Sequence, residues 1–263
     1  LSTLADPTDI NASSLAVGGT YKGVSTLQMA AAYASFGNGG KYFEPYCYYK
    51  VTNSTGTEVL LQHDKTDGDL IMGADTADIM NKLLQTVVTD AAGQGTMRNY
   101  ALKNSVLFAK TGTTTDDYDR WVIGGTPYYV AAVWFGCDIQ KSLSNYVSGN
   151  PSAKIFDEVM NRIHKNLERK DFETHSPIVE QHAYCTATGL LASDSCPSKA
   201  MGWYSKNNMP GYCVSCTAAA PAEPATNAAG GGEATTAAQA EGTTAAPATT
   251  AAATEANTAA LAA

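Results

Sequence analysis

The chain has 263 residues, of which 44% are hydrophobic and 16% charged, and it carries a formal net charge of −8. That length can bury a sizeable core in one large domain or two small ones, while an acidic balance with no basic stripe argues against a nucleic-acid partner. Glu223, Glu233, Glu241 and Glu255 fall in residues 217–263, which hold no Lys or Arg, so removing these four acids from −8 leaves −4 for residues 1–216, an ordinary surface.

In chain order the first strong element is GVSTLQMAAAYASFGNGG, residues 23–40. Ser25 is placed to cap a helix, and Gln28 three positions on completes a capping box. Val24 and Met29 have the spacing of a hydrophobic staple. Leu27, Ala30, Ala31 and Ala34 follow the spacing of a buried face, and Gly37, Asn38, Gly39 and Gly40 end the helix. A polar region of strands and turns follows, in which Tyr46, Tyr48 and Tyr49 read as strand packing. A second helix is expected in DTADIMNKLLQTVVTDAAGQGT, with Ile79, Met80, Leu83, Leu84 and Val87 on the buried face. Asp78, Lys82, Gln85 and Thr86 take the polar face. The turn Gly93-Gln94-Gly95 closes it.

Three strands are predicted next, over 105–114, 120–126 and 128–137. Their connections are too short for a parallel crossover, so they must be antiparallel neighbours. Asn150-Pro151-Ser152 then opens a last amphipathic helix with Ile155, Phe156, Val159, Ile163 and Leu167 as its apolar stripe. Its His164 reads as solvated. Helices before and after an antiparallel sheet give an α+β layered fold, with helices on both sides of the sheet.

Six cysteines are present. Cys47 and Cys137 stand among apolar and aromatic neighbours and read as small buried hydrophobes. Cys185, Cys196, Cys213 and Cys216 cluster in a segment rich in turn residues and poor in core residues. Two disulfides among them would staple such a segment and imply an oxidising, extracytoplasmic setting. A zinc site is the rival, and it normally wants two close pairs where only Cys213-x-x-Cys216 qualifies; disulfides are the expectation, with no metal or cofactor. From Thr217 the sequence is mainly Ala, Thr, Gly, Pro and Glu, which cannot bury enough apolar surface to offset its ordering entropy. The expected division is therefore 1–167 a folded domain, 168–216 a Cys-containing extension and 217–263 a disordered tail.

The chemistry gathers at Lys110-Thr111-Gly112-Thr113. A lysine puts a cation at a strand end, the glycine lets another backbone come close, and the threonine hydroxyls can bind a carboxylate. Free edge N–H groups can pair with an extended peptide, or polarise a carbonyl as half of an oxyanion hole. Two-residue alternation puts Lys110 with Gly112 on one face and Thr111 with Thr113 on the other. Both sets reach one substrate only from an edge or a locally twisted strand. By itself a K-T-G triplet in a chain this long is a weak signal.

It is not isolated. The blocks GGTYKGVSTLQMAAAYASFGNGGKYFEPY, then a helix ending in GQGTM, then AKTGTTTDDYDRWVIGGTPYYVAAVWFGCD resemble, in order and spacing, the transpeptidase domain of class A penicillin-binding proteins. TATGLLASDSCPS, residues 186–198, is similar to the segment after that domain. The resemblance spans about residues 15–200. It implies a mostly antiparallel sheet between helices, incomplete here, and an acyl-transfer site beside the K-T-G strand. By matching position, Lys110 would help place substrate, while Thr111 and Thr113 would bind the terminal carboxylate of a D-alanyl-D-alanine stem peptide or of a β-lactam. The Thr113 N–H would complete the oxyanion hole, with Gly112 leaving the strand open.

The family's other two motifs, S-x-x-K and S-x-N, mark the departure. No lysine in the chain has a serine three positions earlier, and the two S-x-N triplets, Ser148-Gly149-Asn150 and Ser205-Lys206-Asn207, both follow K-T-G. Residues 1–263 thus supply no catalytic nucleophile. Together with the start at Leu1, this makes the chain look like the C-terminal portion of a bifunctional glycosyltransferase and DD-transpeptidase, inactive alone. The parent would act on the extracytoplasmic face of a bacterial membrane, with its anchor in the N-terminal part. The alternative is a non-catalytic β-lactam- or peptide-binding or wall-surface module. The acidic trio Asp116, Asp117 and Asp119 reads as a loop cap rather than a cation site.

Overall fold

The computed structural model describes residues 12–20, 22–64, 66–89 and 93–216. These described residues all fall within one compact unit. The tail expected to be disordered, 217–263, lies outside the described residues.

Helices α1 (Ala12–Ala16) and α2 (Thr26–Ala34) come first. Ser25 caps α2 as its side chain accepts from the Gln28 N–H at 3.2 Å, and the Gln28 side chain accepts from the Ser25 N–H at 3.1 Å. Two of the donors that every helix start leaves unpaired are thereby satisfied. A 3₁₀ turn, Ser35–Gly37, ends the helix rather than the glycine run. Leu27, expected on the buried face, is 60% exposed; no α2 residue is fully buried, although the helix packs against the central sheet.

The polar stretch forms β1 (Lys41–Tyr42), β2 (Lys50–Thr52), β3 (Val59–Gln62) and β4 (Asp69–Leu70). These pair as two small antiparallel ladders, β1 with β4 and β2 with β3. Tyr46, Tyr48 and Tyr49 are not packed inside a sheet: all three are exposed, and Tyr46 stacks on His63 with ring centroids 3.7 Å apart. Cys47 and Cys137 are likewise exposed rather than buried: Cys47 lies in the loop between β1 and β2, and Cys137 directly follows the end of a strand.

Helix α3 (Ala74–Thr89) buries Ala77, Asp78, Asn81, Leu84 and Val88. That corrects the expected face: Leu83 is 51% exposed and Asp78 is inside. The reason is a polar demand from a distant segment. The Asp78 carboxylate accepts from the His175 and Ser176 N–H groups, both at 2.8 Å, and its other oxygen pairs with His175 Nδ1 at 3.1 Å. Asn81 similarly donates to the Phe36 carbonyl at 3.0 Å. Buried polar groups stand only where they are paired, and these two fasten other segments onto α3.

The three predicted strands appear as β5 (Phe108–Thr113), β6 (Asp119–Gly125) and β7 (Val130–Gly136), an antiparallel meander in the order β5-β6-β7. Alternation sorts the sheet into two faces. Ala109, Val122 and Val133 turn toward α4 (Pro151–Ile163), whose Phe156 and Met160 complete a buried cluster with Val88, Met97, Leu102 and Leu107. Trp121 and Trp134, cross-strand partners, turn to the opposite face, toward α2. The sheet thus carries helices on both sides.

Helix α4 starts as expected, Asn150 accepting from the Ala153 N–H at 3.2 Å, but its buried stripe is rotated. Ser152, Ala153, Phe156 and Met160 face the sheet, and Ile155, Val159 and Ile163 are each about 45% exposed. The missing side chain at Gly124 makes room for this packing: a Cβ there would lie 2.9 Å from Phe156 Cζ, so the ring rests directly on the strand backbone. The same stripe carries His164 inside, 3% exposed rather than solvated. Its Nδ1–H donates to the Met160 carbonyl at 2.7 Å, and Nε2 meets the Thr126 hydroxyl at 2.8 Å.

The final hairpin, β8 (Val179–Cys185) and β9 (Lys199–Ser205), is antiparallel. It is held to α3 by Ser205 Oγ donating to Asp75 at 2.8 Å and by Lys82 lying 5.3 Å over the Trp203 ring. No helix among the described residues is long and apolar enough to cross a membrane.

Candidate functional site

Strand β5 changes character along its length. Phe108 and Ala109 are buried in the core, Thr111 and Gly112 are half-buried, and Lys110 and Thr113 are exposed. One side of the strand is paired with β6 throughout, Lys110 against Ile123, Thr111 against Val122, Gly112 against Trp121 and Thr113 against Arg120. Its other side has no strand partner among the described residues. K-T-G therefore stands at a sheet edge, where backbone N–H and C=O groups are available to an added strand.

The side chains divide as alternation requires. Lys110 and Gly112 share the tryptophan face, and the Lys110 ammonium donates to the Thr111 carbonyl at 2.8 Å. Thr111 is on the other face, its hydroxyl 2.9 Å from that of Thr96. Thr96 belongs to the G-Q-G-T-M block after α3, and its link to the strand was not anticipated. That block is placed by the Met97 N–H donating to the Val87 carbonyl at 3.0 Å, which folds the turn back on the helix.

Gly112 has no internal cause. Its φ is not in the left-handed region, and a Cβ there would meet only Trp121 Cβ, at an ordinary 3.4 Å. Nothing among the described residues requires a bare backbone at this position.

The turn after the strand is tightly built. Asp116 and Asp117 have φ of 60° and 57°, a region that only short polar side chains enter readily. Asp117 receives the Arg120 guanidinium in a bidentate pair, with Nε at 2.7 Å and Nη2 at 2.5 Å, and the Ser144 hydroxyl at 2.8 Å. The hydrogen bond from Arg120 holds the Asp117 carboxyl below its ordinary range, against the opposing effect of burial. Arg120 is correspondingly held above its own ordinary value, chiefly by the hydrogen bond to Asp117. Arg120 also donates to the Val147 carbonyl at 3.2 Å and to that of Gly149. Asp119 accepts from Trp134 Nε1 at 2.8 Å. The acids cap and clamp the loop.

Beside this turn, on the tryptophan face, is a cavity of about 490 Å³. The loop Gly18–Thr20 and Gly23–Thr26, Thr114, Trp121 and Trp134 line it, and Lys110 does not.

Both S-x-N triplets are committed to structure. Asn150 caps α4 and Gly149 serves Arg120, while Ser205 bonds Asp75 and Lys206 pairs with Glu180 at 2.7 Å. Cys185, Cys196, Cys213 and Cys216 come together but form no bridges: all are free thiols.

With this geometry in hand, the relatives are informative. Residues 3–161 match the penicillin binding protein transpeptidase domain. The penicillin-binding protein 1A of Clostridium tetani is 35% identical over 195 residues, 72% of this chain and 24% of that protein. The penicillin-binding protein 1A of Clostridium acetobutylicum is 39% identical over 155 residues, 59% of this chain and 18% of the relative. The chain thus spans about a quarter or less of the curated relatives it matches. In fold, it is similar to the crystal structure of penicillin-binding protein 1A from Haemophilus influenzae, with a TM-score of 0.62 at 23% identity over 76% of this chain and 34% of that one. The chain belongs to the penicillin-binding protein transpeptidase family.

Proposed function

We propose that this chain supplies the substrate-binding edge of a peptidoglycan DD-transpeptidase and is inactive by itself. A stem peptide ending in D-Ala-D-Ala, or a β-lactam, lies along the open edge of β5. The Thr111 and Thr113 hydroxyls hold its carboxylate, Lys110 supplies the fixed cation, and the Thr113 N–H polarises the scissile carbonyl. The observation that carries this reading is Gly112: a bare residue at an exposed edge, unexplained by φ or packing, is what close approach by a second backbone needs. Attack on that carbonyl requires a serine activated by a base. No serine stands three residues ahead of any lysine in the chain, so the nucleophile comes from elsewhere in a longer protein, together with the glycosyltransferase part and the anchor that holds the site outside the cytoplasmic membrane.

Fluorescent penicillin tests the proposal. The longer protein is expected to label covalently, and Lys110→Ala within it to lower acylation on the order of 100-fold. The 263-residue chain alone is expected not to label; covalent labelling of it would overturn the assignment. A second reading, a non-catalytic binder, is favoured by the intact edge in a chain without a nucleophile. It predicts reversible binding of a D-Ala-D-Ala peptide to this chain alone, measurable by calorimetry.

A further inference from the structure

The C-terminal extension gathers its four cysteines around one point. The sulfurs of Cys185, Cys196, Cys213 and Cys216 all lie within 4.8 Å of one another. Cys216 Sγ is 3.6 Å from Cys185 Sγ and 3.7 Å from Cys213 Sγ. Two disulfides would sort four sulfurs into two pairs, each at about 2.05 Å. Here Cys216 stands equally close to two others, as one vertex of a tetrahedron. Zinc–thiolate bonds of about 2.3 Å in tetrahedral geometry put sulfurs about 3.8 Å apart along each edge.

We propose that Cys185, Cys196, Cys213 and Cys216 form a structural zinc site. The fold brings the ligands from three places: the end of β8, the turn before β9, and the C-terminal C-x-x-C. Backbone pairing fixes their approach. The Cys213 N–H donates to the Leu191 carbonyl at 2.7 Å and the Leu191 N–H to the Gly211 carbonyl at 3.0 Å, lashing the C-x-x-C to the turn that follows Cys185. Within that turn the Cys185 N–H donates to the Leu190 carbonyl and the Gly189 N–H to the Cys185 carbonyl, both at 2.8 Å.

Cys185, Cys196 and Cys213 are buried, at 0, 5 and 2% exposure, and Leu190 and Ala192 pack over them. With Cys216 half-buried at the rim, that shell covers most of a closed, non-catalytic site. Binding is an acid–base exchange without redox change: each thiol surrenders its proton to solvent, four sulfur–zinc bonds form, and no electron moves. The metal then does for this segment what apolar burial does elsewhere.

The test uses the whole 263-residue chain, exported through an oxidising compartment and purified without chelator, so that bridges have every opportunity to form. Elemental analysis is expected to find about one zinc per chain. Cobalt(II) in its place is expected to show thiolate charge-transfer and tetrahedral visible bands. A thiol reagent should modify exposed Cys47 and Cys137 at once, and the other four only after chelation. Cys216→Ser should lose the metal. Should that variant fail to fold, Cys216→His decides: an imidazole can coordinate zinc but cannot join a disulfide, so retained zinc supports the site. A metal-free chain whose intact mass shows two hydrogens lost per Cys pair would overturn it, as would loss of zinc in Cys216→His with the fold intact.

Discussion

Two regions of the same compact unit are stabilised by different chemistry. The sheet region closes over a continuous apolar cluster in which Met97, Ala109, Val122, Ala153, Phe156 and Met160 are wholly buried. The β8–β9 region has no such cluster. Its buried group is Cys185, Cys196 and Cys213, with Leu190, Ala192 and Cys216 against it. Apolar burial scales with area and is indifferent to redox state or metal supply. A knot of sulfur is small in area, and its strength depends on what joins the sulfurs. The region that presents K-T-G is thus the one whose integrity depends mainly on packing. The other is joined to it by a few polar links, by Lys82 over Trp203 and by the Phe172 ring against Phe108, and the outcomes below probe how separate the two are.

The largest expected effect is in the sheet. Phe156→Ala removes a fully buried ring from beneath Gly124 and should destabilise by about 3–5 kcal/mol. Denaturant unfolding followed by Trp121 and Trp134 fluorescence in a Trp203→Phe background measures it. If the regions are separate, metal content and thiol protection in 185–216 stay unchanged at denaturant levels where the native sheet persists. Next is the link itself. Asp78→Ala strands the His175 and Ser176 N–H groups that the carboxylate now accepts, at about 1–3 kcal/mol for each donor left unsatisfied. Faster hydrogen exchange at those two amides, with β5–β7 still protected, is the expected signature; uniform acceleration would mean the regions unfold as one.

The contrast also explains which features the sequence made legible. The meander was readable because strand alternation and short connections are local: β5, β6 and β7 fall within two residues of the predicted bounds at every end except the β5 start, which lies three residues later because Ser105–Leu107 enter the core without joining a ladder. The capping box at Ser25 and the cap at Asn150 are local too, and both appear. Helix faces were less legible, since which side is buried depends on what a neighbour requires. Asp78 is inside because the 175–176 backbone needs an acceptor. His164 is inside because α4 approaches the sheet through Ser152 and Ala153, turning Ile155 and Val159 outward. At the site, K-T-G was visible as a motif, but Thr96, paired with Thr111 from 15 residues away, had no marker of its own. The cysteines were visible as a group; their common centre is a property of three loops folded together.

A smaller effect is expected at the start of α2. Ser25→Ala removes the acceptor for the Gln28 N–H and should cost about 1 kcal/mol. The helix end borders the cavity beneath Trp121 and Trp134. The cost should therefore appear in the sheet-region unfolding transition, with cobalt bands in the cysteine region unaltered.

The smallest effect tests electrostatics at the turn beyond K-T-G. Arg120 holds the Asp117 carboxyl below its ordinary range through the bidentate hydrogen bonds, with the Ser144 hydroxyl adding to them. A depressed pKa in the folded state means that the folded turn binds a proton less readily than the unfolded chain does. The clamp's contribution is fully present above the unfolded carboxyl value of about 3.9. It is lost as pH falls toward and through the lower folded value. Thermal unfolding of the sheet region should thus be insensitive to this pair from neutrality down to about pH 5 and should weaken below it. Asp117→Asn should remove that part of the acid slope while leaving an arginine short of its partner at all pH values. Glu180 in β8 is held low by Lys206 and then His182, so Glu180→Gln should alter the acid response of the hairpin instead. If each substitution flattens the acid limb of only its own region, the two titrate as separately as they pack. If either flattens both, the polar links through Asp78 and Ser205 couple them more strongly than two hydrogen-bonded attachments should.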